Sequence, residues 1–538
     1  MERSYWEPRV ELDRREAKLM SRLVRIRKLY AFLRLHRHEI VSREFQEELL
    51  ESYRSNGAGR PAVAPGMLAM AVLLQGYAGV SDADASELSG ADARWQMVLG
   101  TLGSEEPAFS QATLQSFRER LIRANLDLRL LERTVEVAER TGEYDRKKLP
   151  KSLRVAVDSS PFEGAGRVED ALNLLGHAAR KLIQAAAKVT GRSTVQVRAE
   201  AGLEVLSASS VKRGLDRQWH EPGATTGALE EVVGELGALA QWCDEHIPEE
   251  GRESIEGLLS TIDLIREQNI ESIINDAGVT SLKVRSGVAA DRRVSIEDSE
   301  MRHGRKSSSK KFNGYKRHVM RDLDTGLIVA CSLTPANQPE ALAMSSLEQD
   351  LRGQGREIGQ LYIDMGYVSA EEVHEMERTG RPVVCRPFPT KTVNNVYEKT
   401  DFDINLSEST VTCPNGVSVP IRSLGRVVQF PAKACGACSK RSQCTTSKGQ
   451  TGRQIRVSEH EPQQQRLRRE ASTPEGRARL RQRVAVEHTL AHLSQRQGRR
   501  ARYFGTRKNL FDLRRACAIQ NLETIQRTMV ADNYRMVA

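Results

Sequence analysis

The chain has 538 residues, too many for one ordinary core, so two or three domains are expected. Its 81 Lys and Arg against 71 Asp and Glu give a formal net charge of +10, which favours a polyanionic partner over acidic small molecules. The N-terminus is charged where a signal peptide needs an apolar core, and the apolar runs are too short to span a membrane, so we expect an intracellular protein without a membrane partner.

Residues 1–145 are predicted to form a helical N-terminal domain. Apolar residues recur three and four positions apart in residues 17–35 and again in residues 113–141, which is the spacing of one buried helix face. Between these segments we expect two short helices interrupted by Gly and Asp, a compact unit typical of DNA-binding domains. A bundle that mediates dimerisation fits the same pattern. The domain is therefore predicted to bind DNA or to dimerise.

The first β-strand is predicted to end at Asp158. The apolar run LRVAV leads into this residue, and the turn-forming sequence Ser-Ser-Pro follows it. Residues 163 to about 280 have helical periodicity, and the next strand signal comes only beyond residue 300. We interpret residues 163–299 as a helical insertion after the first strand.

Residues 300–390 return to a strand-rich pattern. Two strands flank the turn signal Asp324-Thr325-Gly326, and the run IGQLYI ends in Asp364. A cysteine-bearing insertion, residues 391–469, precedes a helix that starts with Ser-Thr-Pro-Glu at residue 472 and runs to about Gly498. The predicted fold class is α/β. Its core is assembled from residues 150–162, 300–390 and 470–525.

Asp158 and Asp364 are candidates for metal-dependent chemistry on phosphodiesters. Each follows an apolar strand, and strand ends in open α/β sheets are where functional sites gather. Hydrolysis and transfer of a phosphodiester need an activated oxygen and a stabilised leaving oxygen, which two carboxylate-bound divalent ions supply. An ordinary turn-forming Asp is the alternative interpretation of either residue.

Glu487 is a third candidate because its helical position can be judged. It shares the spacing of an apolar stripe with Leu480, Val484 and Leu490, where an unpaired carboxylate is unfavourable. A salt bridge to Arg483, one turn earlier, is the alternative explanation. That salt bridge and metal binding are compatible.

Basic residues concentrate in two stretches. Residues 466–515 hold fifteen Lys and Arg against four Asp and Glu, a net charge of +11, and residues 302–321 hold eight Lys and Arg and no acidic residue. Both stretches include aromatic residues, a combination that favours nucleic-acid binding over a merely solvated surface. The candidate DNA contacts in these stretches are Lys310, Lys311, Lys316, Arg496, Arg499, Arg500 and Arg502.

Several blocks of sequence resemble DDE transposases of bacterial insertion sequences, a family with an RNase H-like catalytic core. The N-terminal segment RPAVAPGMLAMAVLLQGYAG resembles the family's helical N-terminal domain, and VAVDSSP and LYIDMGY resemble its first and second Asp motifs. The segment HGRKSSSKKFNGYKRHV resembles the approach to the middle strands, and RVAVEHTLAHLSQRQGRR resembles the Glu helix with its basic tail. The resemblance covers most of the chain.

The resemblance implies an RNase H-like mixed sheet with a helical N-terminal domain and two insertions. It also implies that Asp158, Asp364 and Glu487 are catalytic carboxylates that hold two Mg²⁺ or Mn²⁺ ions, and that Arg483 contacts a phosphate. The family often has Tyr and Lys where this chain has Leu480 and Ser494. Arg496 or Arg499 is therefore expected to replace that Lys.

The residues Cys413, Cys435, Cys438 and Cys444 form a close group in the second insertion. In a reducing compartment such a group favours a metal site over disulfides, and four thiolates can close a structural zinc site. The gaps between the cysteines are looser than those of paired zinc knuckles. A structural Zn²⁺ would brace the insertion without taking part in catalysis.

The predicted function is that of a DDE transposase, with metal-dependent cleavage at the ends of an insertion sequence followed by strand transfer. The implied partners are double-stranded DNA of the element ends and the target, and a second copy of the chain in a homodimer on paired ends. The expected location is the bacterial cytoplasm, at the nucleoid. The alternatives are an RNase H-like nuclease without integration activity and a catalytically inactive DNA-binding relative. Retention of three carboxylates argues against the second alternative.

Overall fold

The computed structural model describes residues 4–23, 28–53, 62–140, 150–206, 208–215, 219–220, 223–274, 280–307, 309–390, 396–446 and 451–528. The N-terminal region is helical, as predicted, and several of its helices begin at side-chain caps, such as the capping box of Asp13 and Glu16. Its helices are α1 (Arg14–Arg22), α2 (Lys28–Ile40), α3 (Arg43–Glu51), α4 (Pro65–Ala78), α5 (Asp82–Ala91), α6 (Ala93–Leu99), α7 (Gln111–Arg123) and α8 (Asp127–Arg140).

The first strand, β1 (Ser152–Glu163), is followed by a long helical insertion with its own buried apolar cluster. The insertion ends in a two-stranded hairpin, which the sequence analysis did not predict. Its elements are α9 (Ala171–Thr190), α10 (Thr194–Glu200), α11 (Val211–Gly214), α12 (Ala224–His246), α13 (Glu249–Asn269), β2 (Ile270–Ile274) and β3 (Thr280–Val284).

The middle of the chain supplies the other strands of the main sheet. These elements are β4 (Arg302–Arg305), β5 (Lys311–Asp322), β6 (Ile328–Pro335), α14 (Ala343–Gly353), β7 (Glu357–Tyr362), α15 (Glu371–Arg378) and β8 (Val383–Val384). Short 3₁₀ turns lie at Glu340–Leu342 and Met365–Tyr367.

The cysteine-bearing region is a small unit built on short strands and its own apolar cluster, which includes Phe402, Val411 and Phe430. Its elements are a 3₁₀ turn (Lys399–Asp401), β9 (Asp403–Asn405), β10 (Thr410–Thr412), β11 (Ser418–Pro420), β12 (Val427–Gln429), α16 (Ala432–Gly436), α17 (Arg441–Cys444) and β13 (Gln454–Arg456). The described chain then ends with α18 (Glu461–Ser472), α19 (Pro474–Gln482), α20 (Val484–Gln497) and α21 (Thr506–Thr528).

The main sheet is mixed, with the order β4-β5-β1-β7-β8, and β6 pairs with β5 on the same side as β4. β1 runs antiparallel to β5 and parallel to β7, so it lies at the centre of the sheet. The central position explains why its apolar residues Val155, Ala156 and Val157 are all fully buried. The predicted α/β class is confirmed, and the arrangement is consistent with an RNase H-like core plus a helical N-terminal region.

The N-terminal helices and the sheet share one hydrophobic core. Leu73 of α4, Val135 of α8, Val155 of β1 and Ile519 of α21 belong to the same buried cluster, and α21 packs on α4, α8 and β6. The long C-terminal helix therefore joins the N-terminal region to the sheet. No helix in the described ranges combines the length and apolarity that a membrane crossing requires.

Two predicted element ends are wrong. β1 does not end at Asp158, because antiparallel pairing with β5 carries it on to Glu163. The single helix expected from residue 472 to Gly498 is two helices in the structure: α19 starts at Pro474 after the Thr473 cap, as predicted, but Arg483 separates it from α20. Both differences concern the local surroundings of candidate site residues.

Candidate active site

The strand register brings Asp158 and Asp364 to the same edge of the sheet. β1 and β7 are parallel neighbours, and their last paired residues are Ala156 and Tyr362. Asp158 and Asp364 each lie two residues beyond this pair, so they occupy equivalent positions on the same face. Pairing with β7 thus stops just before Asp158, although β1 itself continues.

Glu487 approaches this edge from α20, which packs on β1 and β5. The buried residues of the helix include Val486, Leu490 and Leu493, whereas Val484 is exposed and the Glu487 side chain is 47% exposed. The prediction that Glu487 lies within the apolar stripe is therefore wrong, because the buried stripe passes one position earlier. Glu487 lies at the border of that stripe.

Arg483 connects two of the three carboxylates. Its Nη1 donates a hydrogen bond to Asp158 Oδ2 at 2.9 Å, and its Nη2 donates one to Glu487 Oε1 at 2.5 Å. The expected salt bridge to Glu487 is present, and the contact with Asp158 was not anticipated. Arg483 is the residue between α19 and α20. The same residue therefore separates the two helices and links α20 to β1 through Asp158.

A cleft of about 530 Å³ contains all three candidate carboxylates. Cationic side chains and a fourth carboxylate share it with them. The cleft is lined by Asp158, Ser159, Ser160, Pro161, Arg305, Lys306, Phe312, Lys316, Glu340, Asp364, Arg483, Glu487, Leu490, Ala491 and Ser494.

The pKa of Asp158 is raised by its burial and by the two neighbouring carboxylates. Burial raises the pKa of Asp158 to about 6, and the negative charges of Asp364 and Glu487 act in the same direction. The Ser159 backbone N–H, at 2.7 Å from Asp158 Oδ1, and the Arg483 guanidinium oppose this increase. A cation near the three carboxylates would favour the ionised form of Asp158.

The donor set of the cleft is suited to a hard divalent cation. Mg²⁺ and Mn²⁺ take carboxylate oxygens as ligands, and here three carboxylates come from three separate elements. As the side chains stand, no three His, Cys, Asp or Glu residues within the described ranges form a metal-ligand group. Two of the three carboxylates are engaged by Arg483 instead. The residues fit a metal site by their chemistry and their common cleft.

The predicted DNA contacts other than Arg483 and Arg496 fall into three groups. Lys316 lines the cleft, where its Nζ donates to the Gln338 carbonyl at 2.9 Å. The side chains of Lys310, Lys311 and Arg499 are exposed. Two further exposed arginines bind backbone carbonyls, Arg500 those of Gly164 and Ala165, and Arg502 that of Gly79.

Arg496 is directed away from the cleft. Its Nη2 donates to Glu523 Oε2 of α21 at 2.7 Å, and only 18% of its side chain is exposed. Arg496 is not among the residues that line the cleft, and its replacement of the family's Lys stays a prediction. Ser494, at the position of that Lys, accepts a hydrogen bond from Arg317 at 2.8 Å.

Four further residues line the cleft that were not predicted as site residues: Glu340, Arg305, Lys306 and Phe312. Three of them, Arg305, Lys306 and Phe312, lie within the basic stretch of residues 302–321. The charge of that stretch predicted nucleic-acid binding but did not show which of its residues line the cleft. Glu340 follows β6 in the sequence PANQPE and belongs to no periodic pattern. Only the three-dimensional arrangement identifies it.

The four cysteines of the small unit surround one apolar cavity of about 30 Å³. Burial raises the pKa of Cys444, and the other three thiols contribute in the same direction. The Cys435 Sγ accepts a hydrogen bond from the Arg453 backbone N–H at 3.4 Å. In the described part of the chain these thiols do not form a metal-ligand group as they stand. The structural zinc site stays a prediction, which metal analysis of the purified protein would test.

Two family models match the chain. The model of a transposase DDE domain matches residues 412–526, and that of a transposase domain (DUF772) matches residues 22–120. Comparison with curated proteins and with solved structures gives no match. The first matched segment contains Arg483 and Glu487, and the second spans α2 to α6 and most of α7. These two matches support a DDE-type insertion-sequence transposase.

Proposed function

We propose that this transposase cuts DNA at the ends of an insertion sequence and joins the freed ends to target DNA, with Asp158, Asp364 and Glu487 as its metal-holding carboxylates. The observation that carries the proposal is the meeting of these residues in one cleft. They lie more than 120 positions apart in the sequence and come from β1, the end of β7 and α20. A purely DNA-binding protein gains nothing from three negative charges on the surface that faces DNA.

The two reactions have the same form. In the first, water attacks a phosphorus atom at the element end, the P–O3′ bond breaks, and the 3′-oxygen leaves as a hydroxyl. In the second, this 3′-hydroxyl attacks a target phosphodiester, a new P–O bond forms, and the target's own 3′-oxygen leaves. Two bound divalent ions would activate the attacking oxygen and stabilise the leaving oxygen in both. Because each step exchanges one P–O bond for another, no further cofactor is needed.

The cationic residues of the cleft suit the binding of the scissile strand. The planar guanidinium of Arg483 can bind a phosphate through two parallel hydrogen bonds, as it now binds two carboxylates. Lys316, Arg305 and Lys306 line the cleft beside it. We assign to these four residues the contacts that hold DNA phosphates next to the carboxylates.

The test uses the purified full chain and DNA that carries the terminal inverted repeats flanking its coding sequence. With Mg²⁺ or Mn²⁺ we expect cleavage at the repeat ends, and we expect an end with a free 3′-hydroxyl to be joined to a plasmid target. Asp158→Asn, Asp364→Asn and Glu487→Gln should reduce both reactions to the level seen without metal. Asp263→Asn and Glu256→Gln, matched changes at exposed positions of α13, should leave both unchanged.

Each outcome has a definite meaning. Undiminished cleavage by one of the three variants would remove that residue from the site, and normal cleavage by all three would refute the proposal. Cleavage without joining would identify a nuclease that does not integrate DNA. Binding of end DNA without any cleavage would identify an inactive DNA-binding relative.

A further inference from the structure

Glu340 is a fourth carboxylate in the cleft, outside the predicted set of three. It begins the 3₁₀ turn after β6, and its side chain is 23% exposed. Its Oε1 accepts a hydrogen bond from Ser159 Oγ at 2.6 Å and lies 3.8 Å from Lys316 Nζ. A carboxylate at such a turn would ordinarily be free to point into water, so its inward orientation needs a reason.

The partner of Glu340 on the β1 side is the residue next to Asp158. Ser159 donates its hydroxyl to Glu340 and its backbone N–H to Asp158 Oδ1, the latter at 2.7 Å. Glu340 therefore restrains the residue whose backbone orients the first aspartate. A ligand carboxylate that is oriented by a neighbour in this way holds its geometry better than a free one.

On its other side Glu340 packs against the residue two positions after Asp364. A Cβ built on Gly366 would lie 2.1 Å from Glu340 Oε2 and 3.0 Å from its Cδ. All of the nearest atoms to that Cβ belong to Glu340, and Gly366 is not among the glycines with positive φ. The space for the Glu340 carboxylate thus depends on the absence of a side chain at Gly366, and not on an unusual backbone conformation.

We propose that Glu340 is a positioning residue that fixes the separation of the Asp158 and Asp364 carboxylates. It lies between the two segments that carry them, and this role rests on the function proposed above. It contacts Ser159 on one side and Gly366 on the other, so a shift of either segment would disturb it. Lys316 balances its charge from within the cleft. The role requires a hydrogen-bond acceptor of the right length at position 340, and it does not require that Glu340 bind metal.

The first test compares two substitutions in the end-cleavage reaction. Glu340→Ala removes the acceptor for Ser159, and we expect it to lower the cleavage rate by about 10- to 100-fold and to raise the half-saturating Mg²⁺ concentration. Glu340→Gln keeps an oxygen at the same distance and should recover most of this loss. If Gln is as damaging as Ala, the charge itself is required and the positioning role is overturned. Glu256→Ala on α13 is the control and should behave as the wild type.

The second test uses Gly366→Ala. The added methyl group would come closest to the carboxylate end of the flexible Glu340 side chain, 2.1 Å from Oε2 and 3.0 Å from Cδ, so it should displace that carboxylate from Ser159 without unfolding the chain. We expect Gly366→Ala alone to match Glu340→Ala in rate and Mg²⁺ requirement, and to add almost nothing in the Glu340→Ala background. An unchanged melting temperature would confirm that the fold is retained.

Asp158→Asn in the same assays separates the two proposals. Wild-type cleavage by Gly366→Ala beside an inactive Asp158→Asn would overturn the role of Glu340 and leave the proposed function intact. Gly366→Ala could also lower the cleavage rate equally in the wild type and in the Glu340→Ala variant. That result would overturn the role of Glu340, because the loss would then not act through its side chain. Undiminished cleavage by Asp158→Asn would remove Asp158 from the proposed site, and the positioning role of Glu340 toward Asp158 would be overturned with it.

Discussion

Burial, with the nearby charges of Asp364 and Glu487, raises the pKa of the Asp158 carboxylate to about 6. A divalent ion would bind the ionised form, so protons would compete with the metal below this pH. We expect the half-saturating Mg²⁺ concentration for cleavage to be constant well above pH 6 and to rise as the pH falls through about 6. Mg²⁺ titrations of the cleavage rate at a series of pH values would measure this. A concentration independent of pH would contradict it.

The same carboxylate should make the metal-free protein less stable at high pH. Because the pKa of Asp158 in the folded protein, about 6, lies above its ordinary value of 3.8, proton uptake stabilises the fold at low pH. This stabilisation is present below about pH 4 and is lost as the pH rises through about 6. In metal-free buffer at about pH 8, Asp158→Asn should therefore melt at a higher temperature than the wild type.

Control measurements would isolate this effect. The difference in melting temperature between Asp158→Asn and the wild type should shrink as the pH is lowered toward 4. Mg²⁺ should stabilise the wild type more than the variant, since a ligand stabilises the state that binds it. A variant that is less stable than the wild type at high pH would contradict the electrostatic account of the site.

The sequence predicts some site residues well and others not at all. Short apolar runs mark Asp158 and Asp364 as candidates, and parallel pairing of β1 and β7 brings the two residues together, although β1 continues past Asp158. Glu340 has no comparable signal, because its partner Ser159 lies 181 positions away and its other contact is with a glycine. The pairing of Arg496 with Glu523 also has no signal in the sequence, because the two residues belong to separate helices, α20 and α21.

At the level of elements, α21 is bound to the edge of β6 through one buried side chain. Asn521 accepts a hydrogen bond from the Ile328 backbone N–H at 2.7 Å and donates to the Ile328 carbonyl at 2.8 Å. It also donates to Thr134 Oγ1 of α8 at 2.9 Å. Asn521 thus forms hydrogen bonds with three buried polar groups, two on β6 and one on α8.

Removal of this side chain should loosen the packing of α21. Asn521→Ala leaves both backbone groups of Ile328 buried without partners, so we expect the free energy of unfolding to fall by about 3 kcal/mol. Denaturant unfolding of the variant and the wild type would measure the loss. Lys508→Ala, at an exposed position of the same helix, is the control and should change stability little. A loss below about 0.5 kcal/mol for Asn521→Ala would contradict this role.

Element boundaries were harder to predict than element types. β1 extends past Asp158 because β5 pairs with it along nine residues, a long-range contact that the turn-forming Ser-Ser-Pro sequence conceals. The break at Arg483 has no glycine or proline to mark it, so the helical periodicity appears continuous. In both cases tertiary contacts at a candidate site residue override the local pattern.

At the level of the whole molecule, a buried aspartate joins the N-terminal region to the C-terminal helix. Asp127, at the start of α8, is fully buried, and its carboxylate pairs with Arg507 and Arg514 of α21. These residues are separated by at least 380 positions in the sequence. The contact joins α8 to α21, the helix that also packs on α4 and β6.

Loss of the Asp127 carboxylate should destabilise the molecule as a unit. Asp127→Ala removes the nearest carboxylate from the buried guanidinium of Arg514, which keeps a hydrogen bond to Asn125 and a longer contact with Asp350. Breaking a buried ion pair typically costs about 3–5 kcal/mol. We expect a large fall in melting temperature and the loss of end cleavage at temperatures where the wild type is active. Glu119→Ala, at an exposed position of α7, serves as the control. Wild-type stability of Asp127→Ala would contradict the inference that this contact joins the two regions.

The central claim is that Asp158, Asp364 and Glu487 hold the divalent ions that cut DNA. Replacing each in turn by Cys exchanges a hard oxygen ligand for a soft sulfur, which Mn²⁺ accepts better than Mg²⁺. The most direct test measures end cleavage by Asp158→Cys, Asp364→Cys and Glu487→Cys with either ion. The account predicts loss of cleavage in Mg²⁺ and partial recovery in Mn²⁺, and wild-type rates in Mg²⁺ for all three variants would contradict it.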